Sequence, residues 1–484
     1  MKQFLLFILV PFFGTAQIQI GQDINGVAPN DNCGNAISFS DNGSVVAIGS
    51  YLNDGNGINS GQVRVYKNTS GTWTQIGSDL YGSAAGDYSG ISVSLSADGN
   101  MLAIGSPRNY SFSGQVRIYK NTGGAWIQEG ASIQGATFGD NSGWSVSLSS
   151  DGNTVAIGAI GARTGGIETG GVKIYKDISG IWTQEGNGID GLIDSTSFGR
   201  VVSLSADGNT VAISEPYTTL NGAAYCGRVR IYQNLSGTWT QRGSSINGTY
   251  ANGSFGGSLS LSSDGNIVAI GAPGNAITSN SGLVKVYKNI SGIWTQQGAT
   301  INGTQAVECL GQSLALSDDG QVLVIGSHSN ISINVNPGKA QVFRFESGNW
   351  LQKGTDIIGT SNENLGATVA LSGDGHTLAT GAIYNDTNGS ASGQVRLFDT
   401  STLLDVSHFE SEGLGMYPNP VSDVLTIVLA GSTELHDNAI YNSLGQLIKK
   451  GNATQITVGD LPKGVYFVEV ETSKGKATKS IIVK

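Results

Sequence analysis

Residues 91–130 read ISVSLSADGNMLAIGSPRNYSFSGQVRIYKNTGGAWIQEG. Four short runs of strand character, ISVSLS, MLAIG, GQVRIYK and AWIQEG, are separated by Gly, Asn, Asp and Ser, as strands joined by turns are. The block recurs seven times, with turn glycines at Gly43, Gly99, Gly152, Gly208, Gly265, Gly320 and Gly375, so successive periods are 56, 53, 56, 57, 55 and 55 residues. Repetition of that length marks an array of supersecondary units that bury their faces on one another. The second run of each unit (VVAI, MLAI, TVAI, IVAI) is continuously apolar, as expected of a strand covered on both sides. Four strands per unit in seven units predict a β-propeller, because a closed ring gives every sheet two neighbours.

The chain ends predict how the ring closes. Residues 17–26, QIQIGQDING, match the fourth strand QIGSDLYG of residues 75–82 but precede the first complete unit. The seventh unit lacks that strand: after GQVRLFD, residues 393–399, no W-x-Q-x-G follows. The N-terminal strand is therefore expected to complete the last sheet, with Gln17 where other units carry Trp73, Trp126, Trp182, Trp239, Trp294 or Trp350. The expected fold is all-β: a seven-bladed β-propeller over residues 17–403, closed by its N-terminal strand, then a linker over 404–415 and a small Ig-like β-sandwich over 416–484.

Composition narrows the function classes. Only 13% of the 484 residues are charged, 72 are Gly, and the formal net charge is −10. That balance disfavours an electrostatic grip on nucleic acid or an anionic membrane. Lys2, the apolar run Phe4–Phe13 and the small Gly14 and Ala16 have the layout of a secretory signal peptide over residues 1–16. No later run reaches the 18 apolar residues of a transmembrane segment. The three cysteines, Cys33, Cys226 and Cys309, cannot form a disulfide framework and read as small thiols in apolar surroundings.

Phe255-Gly256 and Gly271-Ala272-Pro273, with partial copies at Phe198-Gly199 and Gly105-Ser106-Pro107, make residues 17–403 resemble the FG-GAP family of integrin-α-like propellers. Calcium-binding members carry a D-x-D-x-D-G-type loop between the first two strands. Here that turn is S-A-D-G-N, S-S-D-G-N or S-D-D-G-Q, too poor in carboxylates for the six or more oxygens calcium takes. No cofactor is expected. The tail resembles the C-terminal sorting domain of type IX secretion cargo through Tyr417-Pro418-Asn419-Pro420, Asn442 to Gly445, Leu461 to Tyr466 with Gly464, and its basic, apolar end. The resemblance implies secretion to, or display on, the outer surface of a Gram-negative bacterium. It also implies the type IX machinery and its tail-processing protease as partners.

Catalytic constellations are not legible. His328, His376, His408 and His436 are scattered among units, linker and tail, so neither a metal set nor a Ser-His-Asp arrangement is suggested. Asp54, Asp87, Asp140, Glu168, Asp194, Glu215, Glu308, Glu363 and Asp386 read as inter-strand loop acids, and no two form the local pair a glycosidase uses. Three readings stay open: a surface binding module for a glycan or protein, a carbohydrate-active enzyme (glycoside hydrolase or lyase), and a structural surface protein.

The copies differ on one face. Strand alternation puts loops 1–2 and 3–4 on one side of the ring and loops 2–3 and 4–1 on the other. From the end of strand two to the aromatic of strand three the distances are 17, 14, 17, 18, 16, 17 and 17 residues. Variable loops on a rigid scaffold are where binding sites are built. At the channel mouth of this face the residue after the first-strand Gly changes most: Asn35, Ile91, Trp144, Arg200, Gly257, Gln312 and Ala367. Asn35, Trp144, Arg200 and Gln312, with the loop tyrosines Tyr110, Tyr217 and Tyr225, are the candidate ligand-binding residues. Removing residues 416–484 is expected to leave the repeat array folded but retained in the periplasm; cell fractionation with surface labelling tests this, and normal display of the truncated chain contradicts it.

Overall fold

The computed structural model describes residues 17–484 except 275–280, 329–336, 361, 405–413, 430–433, 443–445 and 473–474. The proposed signal peptide and Gly445 lie outside the described residues. Two compact units are present, residues 1–401 and 402–484.

In the first unit the repeats become seven antiparallel sheets, six of them running in chain order from strand one to strand four. In the second repeat these are Ser92–Leu95, Met101–Ser106, Gln115–Thr122 and Ala125–Gln128, with the short Ile133–Gln134 returning to the third strand. A separate two-stranded hairpin joins Arg163–Thr164 to Ile167–Glu168. The last sheet takes its outer strand from the other end of the chain: Ile18 pairs with Asp399, Gln19 with Phe398, and Ile24 with Val395.

Each sheet holds the next at three radii. At the loop-rich face, the residue opening strand three bridges the following unit's entry to strand one: Gly61 to Ser89, Gly114 to Ser142, and so on to Gly338 and Leu365. The circuit returns where Gly393 bridges Cys33. At the opposite face the turns form a hydrogen-bonded circle in which Asp41 N–H donates to Ala97, Ala97 to Ser150, Ser150 to Ala206, Ala206 to Ser263, Ser263 to Asp318 and Asp318 to Gly373. Asp374 donates back to Asp41.

The outer belt explains W-x-Q-x-G. The Trp126 indole N–H donates to Ile76 O at 3.2 Å, Trp182 to Glu129 O at 3.1 Å and Trp350 to Gln297 O at 3.0 Å. Each indole thus reaches the carbonyl just before the preceding unit's Gly. Gln128 Nε2 donates to Gly130 O at 3.1 Å and turns back the end of that strand. A side chain on that glycine would collide: a Cβ at Gly77 would sit 2.8 Å from the Trp126 ring. At the seam Gln19 donates to Gly21 O and Trp73 packs against Gly21. The buried Trp73 N–H, however, has no partner among the described residues.

In each S-x-D-G turn the Ser hydroxyl accepts the N–H five residues on and donates to the carboxylate or amide two residues on, as Ser96 does with Met101 and Asp98. Partial burial raises the Asp98 carboxyl, but Ser96 and the Asn100 amide outweigh it and hold it below the ordinary range. Asp151, Asp207 and Asp264 behave alike.

The second unit packs the sheet of Leu414–Tyr417, Val424–Leu429 and Gln455–Thr457 against a four-stranded sheet ending in Gly475–Val483. A core of Leu425, Ile427, Ile440, Val468 and Ile481 lies between them. Its first strand starts two residues before the expected boundary at 416, because Leu414 is buried in this core and pairs with Leu429.

On the turn circle Asp318 stands over Gly373, where a Cβ would lie 2.4 Å from its carboxylate. Asp318 is exposed by surface area, but partial desolvation among its neighbours, then Asp41, Asp319 and Asp374, push its carboxyl up to about 6 from 3.8. A raised carboxyl binds its proton in the folded state first, so its support is present at low pH and lost as pH climbs from 3.8 to about 6. Asp318→Asn should therefore stabilise the array at pH 7, by about 1 kcal/mol once solvent screening is allowed for. The gain should shrink towards pH 4, as followed by urea melts at both pH values.

Candidate functional site

Loops 2–3 and 4–1 share one edge of every sheet and hydrogen-bond across units, as Ser89 N–H to Ser60 O and Gly82 N–H to Gly61 O show. The seven channel-mouth positions are all half-buried. Residues just before them (Asn32, Tyr88, Asn141, Ser197, Ser254, Cys309 and Asn364) have φ between 50° and 56°. Asn and Ser suit that left-handed backbone; Tyr88 is a costly occupant.

The structure brings four expected residues together. Arg200 Cζ lies over the Trp144 ring and over the Tyr217 ring, 5.5 Å from each centroid. Tyr217 meets Tyr225 edge-on at 6.3 Å. Tyr217 and Tyr225 remain exposed. Asn35 is employed otherwise: its amide donates to Gly90 O at 3.1 Å and accepts from Tyr51 N–H at 3.1 Å, joining units one and two. Gln312 is half-buried and Tyr110 is 72% exposed. No hydrogen bond or ring contact among the described residues ties either to the Trp144 group.

A second group gathers the loop tyrosines Tyr51 and Tyr88 around Arg108, which the sequence pattern does not single out. Arg108 lies 4.2 Å over Tyr88 and 5.4 Å over Phe112. Phe112 meets Phe138 at 6.5 Å and Tyr88 meets Tyr51 at 5.5 Å. Burial, then Tyr384 and Tyr88, push the Tyr51 hydroxyl up, and Arg108 partly offsets them. Tyr110, Ser111 and Phe112 are consecutive left-handed residues, a strained turn of the sort that clusters at ligand clamps. One signal for Arg108 was available: it stands three residues past the strand-two Gly, where other units have Tyr217 and Tyr384.

Most of the loop acids are engaged within the fold; Asp194 is exposed and accepts the Ser195 hydroxyl. Asp31, Asp87, Asp140, Glu308 and Glu363 turn back to accept N–H groups of their own 4–1 loops, for example Val27 and Ala28 at Asp31 and Ala136 and Thr137 at Asp140. Asp54 and Asp386 accept from Asn59 and Ala391 in the same way. Glu215 and Glu168 are not loop residues. Glu215 ends strand two, fully buried, and is paired with both Arg228 and Arg230. Glu168 lies in the small hairpin beside Arg163. Among the described residues no group of three or more His, Cys, Asp or Glu could hold a metal, and no helix is long and apolar enough to cross a membrane. Cys33 is buried and its thiol pushed up, with Arg64 donating to the sulfur.

In the tail, Asn419 joins the Y-P-N-P segment to the last strand: Nδ2 donates to Ser480 O and Oδ1 accepts Ile482 N–H. Tyr417 is exposed, and Tyr466 donates to Pro462 O after Gly464 opens its strand. Residues 415–484 match the family model of the secretion system C-terminal sorting domain. The sorting tail marks the chain for type IX export, to the cell surface or the medium. It also implies contact with the secretion machinery. No curated protein matches the chain. Among solved structures, Kuenenia stuttgartiensis hydrazine synthase is similar at 14% identity and TM-score 0.49, over 74% of this chain and 94% of that one. A putative 6-phosphogluconolactonase from Bacteroides uniformis is similar at 13% identity and TM-score 0.48, over 68% and 86%.

Removing one partner of a buried ion pair strands the others. Glu215→Ala should cost about 3–5 kcal/mol in urea unfolding, whereas Glu168→Ala, at an exposed pair, should change stability by less than about 0.5 kcal/mol.

Proposed function

We propose that the repeat array is a closed, seven-bladed propeller of the FG-GAP, integrin-like kind, acting outside the cell as a binding module for a glycan or protein through its variable loop face. The observation that carries this reading is the grouping of Trp144, Arg200, Tyr217 and Tyr225 at the channel mouth. Two consecutive units supply an aromatic platform and a cation there. Aromatic faces pack against the C–H surface of a sugar or against apolar side chains, and a guanidinium fixes orientation through directed donors. The closed ring is supported by the two hydrogen-bonded circuits and by the N-terminal strand on Gln394–Asp399. Signal-peptide cleavage after Ala16 would leave that strand at the mature terminus.

The proposal assigns no catalytic step and no cofactor. Most of the loop carboxylates a glycosidase would need are engaged by backbone N–H groups or arginines. The turn carboxylates calcium would need are engaged by Ser and Asn.

The test is a glycan array and an extracellular-protein pull-down with the full secreted chain, with and without calcium, followed by titration of the best ligand. Trp144→Ala and Tyr217→Ala should each weaken binding about tenfold with unchanged melting temperature. Unchanged affinity in both folded variants removes this face as the site, and binding that requires calcium overturns the metal-free reading.

A further inference from the structure

The chain has ten arginines. Eight have a polar partner: Arg64 and Arg117 donate to Asn25 O and Tyr81 O, Arg242 to Gly265 O, and Arg163, Arg228, Arg230, Arg344 and Arg396 reach carboxylates. The other two are Arg108 and Arg200. Neither guanidinium has a hydrogen-bond or ion-pair partner among the described residues, although the chain carries an excess of ten acidic groups. Both lie on the variable face, and both lie over aromatic rings.

Their isolation has a structural cause. Acids of the 4–1 loops on this face are withdrawn into those loops, Asp87 by Ala84 N–H and Asp140 by Ala136 and Thr137 N–H, while Asp194, six residues before Arg200, accepts the Ser195 hydroxyl. Carboxylates that would otherwise neutralise these arginines cap turns instead. A guanidinium held over a ring keeps its in-plane N–H pairs free, and those pairs match a carboxylate in a two-bond fork. Beside each stand exposed rings suited to a pyranose face: Tyr217 and Tyr225 at Arg200, Phe112 and Phe138 at Arg108.

We infer that the variable face recognises a carboxylated glycan, a polysaccharide containing uronic acid, with Arg200 and Arg108 each taking a carboxylate while the neighbouring rings take the sugar. The inference rests on the binding-module reading and names its ligand class. The acidic protein repels a polyanion at long range, but at physiological salt that repulsion is screened beyond about 8 Å, and the two unpaired arginines act within contact distance.

Calorimetric titrations of the full secreted chain would use three probes: a polyuronate oligosaccharide, the same oligosaccharide with its carboxyls reduced to alcohols, and a sulfated galactan. The polyuronate should bind about tenfold more tightly than its reduced form. Arg200→Gln and Arg108→Gln should each erase most of that preference while holding affinity for the reduced form within about twofold; Arg200→Lys should recover little, since an ammonium lacks the fork. Equal affinity for the polyuronate and its reduced form overturns the inference and leaves the binding module standing. Preference for the sulfated galactan also overturns it. Failure of all three probes overturns it as well, and the array then decides separately whether the face binds anything. A loss of affinity for both glycans in the Gln variants, with a lowered melting temperature, would show the arginines to be structural and overturn the inference.

Discussion

Neighbouring sheets touch backbone to backbone, and everything else in the repeat array depends on that contact. The Gly that ends strand two in one unit faces the Gly that begins strand one in the next. A Cβ on Gly49 would lie 2.2 Å from Gly90 O, on Gly105 2.1 Å from Gly143 O, and on Gly381 2.4 Å from Gly34 O. The strand-one glycines are also left-handed, with φ between 84° and 92°, which a side chain resists. Any residue larger than Ser would wedge the sheets apart and break the bridges above and the turn circle below. Unit four shows the limit of tolerance, since Ser214 stands in place of Gly and its Cβ already lies 3.1 Å from the position a Cβ on Gly256 would take.

This constraint gives the family-like motifs a mechanical meaning. The Gly of Phe255-Gly256 donates its N–H to the carbonyl of the Gly in Gly271-Ala272-Pro273, so the two halves of the signature are one hydrogen-bonded contact at the foot of the variable loops. Strand one adds a polar zipper: Ser38, Ser94, Ser147, Ser203 and Ser260 each accept the Leu N–H of the next unit. A glycine contact inside, serine links between first strands and tryptophan hooks outside leave loops 2–3 and 4–1 free to vary without cost to the frame.

The repeat, its four strands and the displaced N-terminal strand were legible in the sequence, because glycine spacing and the W-x-Q-x-G pattern are local and recur. The tail was legible for a similar reason, since Y-P-N-P and the final strand are tied by Asn419. Side-chain employment was not. Asp140 and Glu363 look like available acids until the backbone N–H groups they accept are seen, and Glu215 looks like a loop residue until it is found buried between two arginines. Arg108 was missed because its partners come from separate loops: Tyr88 precedes it by twenty residues and Phe112 follows by four. Trp144 and Arg200 were found because both occupy one repeated position, where departures stand out against six neighbours.

The seam has a kinetic consequence. Ile18 and Asp399 lie at opposite ends of the array, so the last sheet cannot be finished until nearly all of the repeat chain is present, while each other sheet is made from contiguous sequence. Closing so long a loop is slow relative to building a local meander. The final sheet is therefore the last to form, and the Trp73 N–H across its seam, without a partner among the described residues, marks it as the least tightly fastened. A protease acting during export would find its opening there, at the strand of Ile18 and Gln19, before it could enter any other unit.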